Sequence, residues 1–306
     1  MPHASKVALY ALLCFIWGST WLVIKVGYGG LGPFNVAALR FFVAGLLCAP
    51  IVPLAGARWP RGRSEWRLVT FVGIVLFGLD YGLIYWSEQF IDSGLTAVLF
   101  ATLPLITIFA AHLYLPGEPI TARKLSGTLL AFVGVVVLFG DHLRLDPEKA
   151  GAMAAVVAGA AFAAAAAVVT KRHGAALHPA ALNAPAMLIG AAALAAASLA
   201  AGEAFTFPRD RQAMAAIAYL AVAGSVVSFL AYFFLLKTWS ATSVSFISVF
   251  TPVIALALGF VFLDELPTPL TAIGGVLILA GVTLAVTKGR PGTQGRRGGQ
   301  LVGLSL

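Results

Sequence analysis

Long apolar runs joined by short polar connections constrain this chain more than any other feature. A helix spans a bilayer with roughly 17–25 residues, and ten runs approach or reach that length: 7–28, 33–54, 68–86, 94–115, 125–140, 150–170, 180–201, 213–236, 242–263 and 270–287. Because only 10% of the residues are charged and 60% are hydrophobic, a soluble fold would lack a polar surface. The continuous runs favour helices over alternating strands. The sequence therefore predicts an all-α integral membrane protein with ten transmembrane helices.

Lysine and arginine residues fall mainly on one side of the predicted helices. Fourteen lie at one set of helix ends and four at the other, while Lys25 and Arg40 lie within predicted helices. Cytoplasmic loops of membrane proteins carry the excess of Lys and Arg, so we expect both termini to be cytoplasmic. The net charge of +8 then reflects membrane topology and not nucleic-acid binding. The Gly- and Arg-rich residues 288–306 are predicted to form a disordered, basic cytoplasmic tail.

The chain also contains an internal repeat. Residues 96–139 resemble residues 244–286, and six matched pairs lie 146 to 148 residues apart: Lys25 and Lys171, Pro33 and Pro179, Pro104 and Pro252, Glu118 and Glu265, Gly127 and Gly274, Gly134 and Gly281. Each half contains five predicted helices. Because five is odd, the second copy enters the membrane from the opposite side. The sequence thus predicts two inverted five-helix repeats, residues 7–140 and 148–287, around a central cavity.

Motifs in both halves carry a family resemblance. WGSTWLVIK runs from Trp17 to Lys25, and ALRFFVAGLL runs from Ala38 to Leu47. The fourth and ninth runs lead into PGEPIT and DELPTP, each followed by a helix with two glycines seven residues apart. In this order the motifs resemble the EamA-type members of the drug/metabolite transporter superfamily over residues 7–287. The resemblance implies ten helices, cytoplasmic termini and export of small metabolites, often amino acids or their relatives.

Ionisable and aromatic side chains inside the predicted helices are the candidate substrate-binding residues. Arg40 and Asp80 each lie about 10 Å below the outer end of their helix. A lone charge at a helix centre costs roughly 2.5–3.5 kcal/mol, so we expect the two to form an ion pair that a zwitterionic substrate can use. A purely structural pair, or an Arg40 that extends outward beside a neutral Asp80, stays open. Tyr81 and Tyr232 have hydroxyl groups that need partners in lipid, and Trp17 joins them as a candidate contact.

Matched prolines mark the middle of two predicted helices. Proline has no N–H and clashes with the carbonyl group four residues earlier, so Pro104 and Pro252 should each disturb their helix. Two interpretations stay open, a hinge that lines the cavity or a kink that improves packing. Paired glycines, in contrast, predict close contact between helices, at Gly127 and Gly134 and at Gly274 and Gly281.

Motifs for enzymatic chemistry are missing from the sequence. The chain has no GxxxxGK[ST], HExxH, GxSxG or CxxC, which leaves ATP hydrolysis and the common hydrolytic and redox mechanisms without their residues. We therefore expect no catalytic residue, metal or cofactor. The expected partners are the lipid bilayer and a small-molecule substrate.

These observations together favour transport. The predicted function is a secondary transporter, not an enzyme, that exports a small metabolite (an amino acid or related compound) across a bacterial inner membrane by alternating access. Protons as the coupling ion and simple facilitated exchange both stay open. A membrane-embedded enzyme and a receptor or channel subunit are the alternatives.

Overall fold

The protein folds into long helices. The structure, a computed structural model, describes residues 2–138, 140, 147–204, 206–254 and 269–287, and these contain helices and no strand. In chain order the helices are α1 His3–Gly27, α2 Pro33–Leu54, α3 Gly62–Ser87, α4 Ser93–Tyr114, α5 Ala122–Leu138, α6 Ala150–His173, α7 Pro179–Ala200, α8 Arg211–Thr238, α9 Ala241–Ile254 and α10 Pro269–Val286. The prediction of an all-α protein is confirmed.

Seven of these helices, α1 to α4 and α6 to α8, are long and apolar enough to cross a membrane. Helix α5 has 17 residues, and α9 is described as far as Ile254. The chain is therefore a multi-pass membrane protein, while the count of ten spanning helices stays a prediction. The predicted tail at 288–306 and Glu265 lie outside the described residues.

Local sequence signals account for the start of several helices. Pro33 and Pro179 occupy the first turn of α2 and α7, where a missing N–H group breaks no helical hydrogen bond. At the start of α8 the Asp210 carboxylate accepts a backbone N–H three residues later, at 2.9 Å. The Ser240 hydroxyl does the same at the start of α9, at 3.0 Å. These side chains satisfy backbone donors that a helix end leaves unpaired.

Contacts between the two halves of the chain build the core. Helix α2 packs against α7, α5 against α10, α1 against α8, and α3 against α6. In each of these pairs one helix comes from the first half and the other from the second. The main hydrophobic core accordingly contains buried residues of α1, α2, α3, α6, α7 and α8.

The contact between α5 and α10 is closest at the predicted glycines. A Cβ atom added to Gly134 would lie 2.7 Å from the backbone nitrogen of Ile278, and one added to Gly281 would lie 2.4 Å from that of Ala131. The other two glycines, Gly127 and Gly274, are equally crowded by backbone atoms. Since Cβ atoms do not approach backbone that closely, the prediction of close packing is confirmed.

Wider π-helical turns interrupt α3 and α8. They cover Gly73–Asp80 in α3 and Val222–Val227 in α8. In α8 the hydroxyl groups of Ser225 and Ser228 each donate to the carbonyl group five residues earlier, at 2.9 and 2.7 Å. Turns of this kind change the direction of the side chains that follow and are frequent at functional sites. Both turns contact or adjoin the site described next.

Candidate functional site

A cavity of about 70 Å³ lies between α1, α3, α4, α6, α8 and α9. Aromatic rings form much of its wall, and its polar lining consists of Asp80 with the hydroxyl-bearing residues Thr20, Tyr81, Tyr232, Ser245, Ser248 and Thr251 and the indole N–H groups of Trp17 and Trp21. Small-molecule sites have this character, an apolar wall with a few placed polar groups. Both halves of the chain contribute, so the cavity is the candidate binding site.

Asp80 is the acidic residue of the cavity wall. It ends the π-helical turn of α3 and is only 1% exposed. Its Oδ1 atom is buried and has no hydrogen-bond partner. A Cβ atom on Gly159 of α6 would lie 2.9 Å from this oxygen, so the glycine leaves the space that the carboxyl group occupies. Because burying a polar group without a partner costs about 2–7 kcal/mol, Asp80 is the strongest candidate for a ligand contact.

Arg40 does not pair with Asp80, so that prediction is wrong. The buried guanidinium group donates to Ser225 Oγ at 2.9 Å, to the Gly224 carbonyl oxygen at 3.1 Å and to the Tyr85 hydroxyl at 3.2 Å. The described ion pairs within 4.0 Å do not include one between Arg40 and Asp80. Depth sets the level of a residue in the membrane but not its direction about the helix axis. Arg40 points to α8 and lies behind the cavity wall, whereas Asp80 faces α6.

The aromatic residues singled out from the sequence meet at the cavity. Trp17, Tyr81 and Tyr232 all line it together with Asp80. The Trp17 indole nitrogen donates to the Gly224 carbonyl oxygen at 3.2 Å, and its ring centre lies 5.4 Å from that of Tyr232. The structure thus brings together four of the five predicted substrate-binding residues and places Arg40 behind them. Their contact with a substrate stays a prediction.

Trp21 is a site residue that the sequence analysis left out. It lines the cavity one helical turn after Trp17, and its buried indole N–H group has no hydrogen-bond partner. The four-residue spacing of the two tryptophans was the available signal, because it puts both on one helix face. In α9 the three-residue spacing of Ser245, Ser248 and Thr251 gives the same kind of signal for the hydroxyl groups in the lining.

The matched prolines lie in interrupted helices, but in different ways. Helix α4 breaks at residues 101–102, and Pro104 occupies the first turn of the new segment Leu103–Tyr114. Helix α9 has its turn at Phe246, six residues before Pro252. Both helices are therefore interrupted before the proline, α4 at residues 101–102 and α9 at Phe246. The hinge role of the two prolines stays a prediction.

The two lysines matched by the repeat make equivalent hydrogen bonds to backbone carbonyl groups in the connections after α3 and α8. Lys25 Nζ donates to the Ile91 carbonyl oxygen at 3.1 Å. Lys171 Nζ donates to the Trp239 carbonyl oxygen at 2.6 Å. Ile91 and Trp239 are 148 residues apart, the separation of the repeat in this part of the sequence. Each lysine of the repeat thus holds the connection that follows α3 or α8.

Glu88 is a second buried acid, directly after the end of α3. It is 3% exposed, and both carboxyl oxygens are buried without a hydrogen-bond partner. Burial raises the pKa of Glu88 to about 8, although Lys25 and Arg40 oppose the shift. Within the described residues, no three His, Cys, Asp or Glu side chains are grouped to hold a metal ion.

Known proteins are similar to this chain in sequence and in fold. The EamA-like transporter family matches the chain twice, over residues 5–140 and 150–287. A probable terminal-alkyne amino-acid exporter of Streptantibioticus cattleyicolor is 28% identical over 292 residues, which cover 90% of this chain and 92% of that protein. The uncharacterized inner membrane transporter YedA of Escherichia coli (strain K12) is 29% identical over 262 residues, covering 82% and 80%. A solved crystal structure matches with a TM-score of 0.78 at 22% identity, covering 93% of this chain and 97% of its own.

Proposed function

Because the chain belongs to the EamA-like transporter family, we propose that it is a secondary transporter that exports a small metabolite by alternating access. The proposed substrate is an amino acid or a related compound, and the proposed location is a bacterial inner membrane. The central cavity carries this proposal, since helices of both family matches enclose it and a buried acid faces it. Secondary transporters bind substrate at such an interface between repeats.

Matched contacts support an inverted arrangement of the two halves. Exchanging the halves turns the contact between α1 and α8 into the contact between α6 and α3, and both contacts exist. Helices α2 and α5 each pack against their own counterparts, α7 and α10. A twofold axis produces this pattern, and because each half has an odd number of predicted helices, we propose that the axis lies in the membrane plane. The π-helical turns in α3 and α8 and the two matched lysines fit the same axis.

Cytoplasmic termini are proposed from the charge bias of fourteen against four. In a variant without Cys14 and Cys48, a single cysteine at Lys149 should react with an impermeant thiol reagent added to intact cells. A cysteine at Arg63 should react only after the membrane is opened. Both positions are exposed in the structure, so accessibility within the protein is matched. The opposite labelling would overturn the orientation.

Transport through the cavity is tested by counterflow in liposomes with labelled amino acids and their amine and acid relatives. The similarity to a probable terminal-alkyne amino-acid exporter of Streptantibioticus cattleyicolor supports this choice. Ser248 lines the cavity, so Ser248→Trp should fill it and abolish counterflow. Ser126 is exposed on α5, so Ser126→Trp is the matched control and should transport normally. Counterflow that survives Ser248→Trp in a variant that elutes as the folded protein would contradict a path through this cavity.

A hinge role for the prolines is part of the alternating-access proposal. The double variant Pro104→Ala, Pro252→Ala should insert and fold but transport more slowly, because straighter helices α4 and α9 resist the conformational change. A wild-type rate would show that the breaks serve packing. An imposed pH gradient then separates the two coupling schemes. Accumulation above equilibrium supports coupling to protons, and plain equilibration supports facilitated exchange.

A further inference from the structure

Two residues that line the central cavity each have a buried polar atom without a hydrogen-bond partner. The Oδ1 atom of Asp80 accepts hydrogen bonds, and the Nε1–H group of Trp21 donates one, yet neither has a partner. The two residues come from different helices, α3 and α1, and both line the cavity. Buried polar atoms in folded proteins are normally satisfied. An occupant of the cavity that donates to Asp80 and accepts from Trp21 would satisfy both.

Among the described residues, the cavity lining includes an acid but no lysine or arginine. Arg40 directs its guanidinium group to Ser225, Gly224 and Tyr85, behind the wall. Arg40 is therefore not one of the described residues that line the cavity. A cationic ligand therefore compensates Asp80, whereas a ligand carboxylate finds only neutral donors in the lining. The charge distribution of the lining therefore favours a positively charged ligand over a negatively charged one.

The wall around Asp80 also favours a cation with an apolar body. The rings of Trp17, Phe100, Phe229 and Tyr232 line the same cavity. Aromatic faces attract cations, and the attraction grows when water is excluded. The cavity volume of about 70 Å³ is well below the roughly 300–1,000 Å³ of pockets for drug-sized ligands. The occupant should therefore be small.

We infer that the cavity recognises a small primary amine with an apolar body, and that its ammonium group binds Asp80. The ammonium group satisfies Asp80, and an amine that also carries an acceptor atom would satisfy the Trp21 N–H group as well. This inference rests on the proposed function, because the amine is then the exported metabolite. It also narrows that function, since a free amino acid brings a carboxylate that the cavity does not compensate. Amines that correspond to amino acids without their carboxyl group are the preferred class.

Calorimetric titration of the purified full-length protein in detergent tests the inference with three ligands of one shape. Isopentylamine, leucine and 4-methylpentanoate share a branched apolar body and differ in their charged groups. Isopentylamine should bind at least about tenfold more tightly than leucine, and 4-methylpentanoate should not bind. Asp80→Asn should weaken amine binding at least about tenfold. Asp92→Asn is the control, because the Asp92 side chain is 99% exposed, and it should leave binding unchanged.

Several results would overturn the inference. These are tighter binding of leucine or 4-methylpentanoate than of the amine, no amine binding, and amine binding that Asp80→Asn does not change. If Asp80→Asn fails to elute as folded protein, Gly159→Ala provides the second variant, because its Cβ atom displaces Asp80 Oδ1 and should weaken amine binding. Binding without counterflow would contradict the transport proposal alone. Counterflow of an amino acid without Asp80-dependent amine binding would contradict the amine inference alone.

Discussion

Arg40 offers the most direct test of how the buried part of this protein is held together. Its guanidinium group connects α2 to α3 through the Tyr85 hydroxyl, and to α8 through Gly224 and Ser225. Arg40→Ala removes all three hydrogen bonds and leaves their acceptors buried. Because these acceptors are neutral, the expected cost is that of a buried polar group left without its partner, about 1–3 kcal/mol. At about 2–4 °C per kcal/mol, the melting temperature should fall by roughly 2–12 °C for each group left without a partner.

Thermal unfolding in detergent, followed by tryptophan fluorescence, measures this loss. Arg58→Ala is the matched control, because Arg58 makes an exposed ion pair with Glu65 at 2.6 Å that water and salt screen. It should leave the melting temperature unchanged. Asp80→Asn should also unfold at or above the wild-type temperature, since Oδ1 of Asp80 makes no hydrogen bond to lose. An Arg40→Ala protein as stable as wild type would refute the anchoring role of this arginine.

Two further predictions concern helix packing and pH. Gly274→Ala should lower the melting temperature, because its Cβ atom would clash with the backbone of Leu138. The adjacent Gly275→Ala is the control and should leave the melting temperature unchanged or raise it, because nothing lies within 4 Å of its Cβ atom. Equal effects of the two substitutions would contradict the packing argument. Glu88 has a pKa raised from 4.5 to about 8, so the folded protein holds a proton that the unfolded chain releases between these values. The free energy of unfolding should therefore fall as the pH rises from about 5 to 8. Glu88→Gln should make the melting temperature less dependent on pH over that range. A pH dependence that this substitution leaves unchanged would contradict the burial argument.

The sequence predicted the features that depend on composition and spacing. Apolar length located the seven membrane-crossing helices, and the paired glycines located the close contact between α5 and α10. Arg40 and Asp80, singled out as ionisable residues within predicted helices, are both buried in the protein. All of these follow from properties of one helix or from a repeat within the chain. They need no knowledge of which helices become neighbours.

The side-chain contacts of the candidate site could not be predicted from the spacing of residues along the chain. Arg40 finds its acceptors at Gly224 and Ser225, some 185 residues away in the chain. Those acceptors lie in a π-helical turn, Val222–Val227, which no sequence pattern announced. The expected pair with Asp80 failed because helix rotation and the choice of neighbours, rather than depth, decide which side chains meet. Trp21 was missed although its spacing from Trp17 was visible, because tryptophan near a membrane has many roles.

The carbonyl group of Gly224 has a consequence for the moving parts of a transporter. It accepts one hydrogen bond from Trp17 of α1 and another from Arg40 of α2. A motion that pulled the first half of the sequence away from the second as two rigid units would break both bonds at once. A motion that keeps α1, α2 and α8 together breaks neither. The two parts of the protein that move relative to each other should therefore not be the two copies of the repeat. Each moving part should contain helices of both copies.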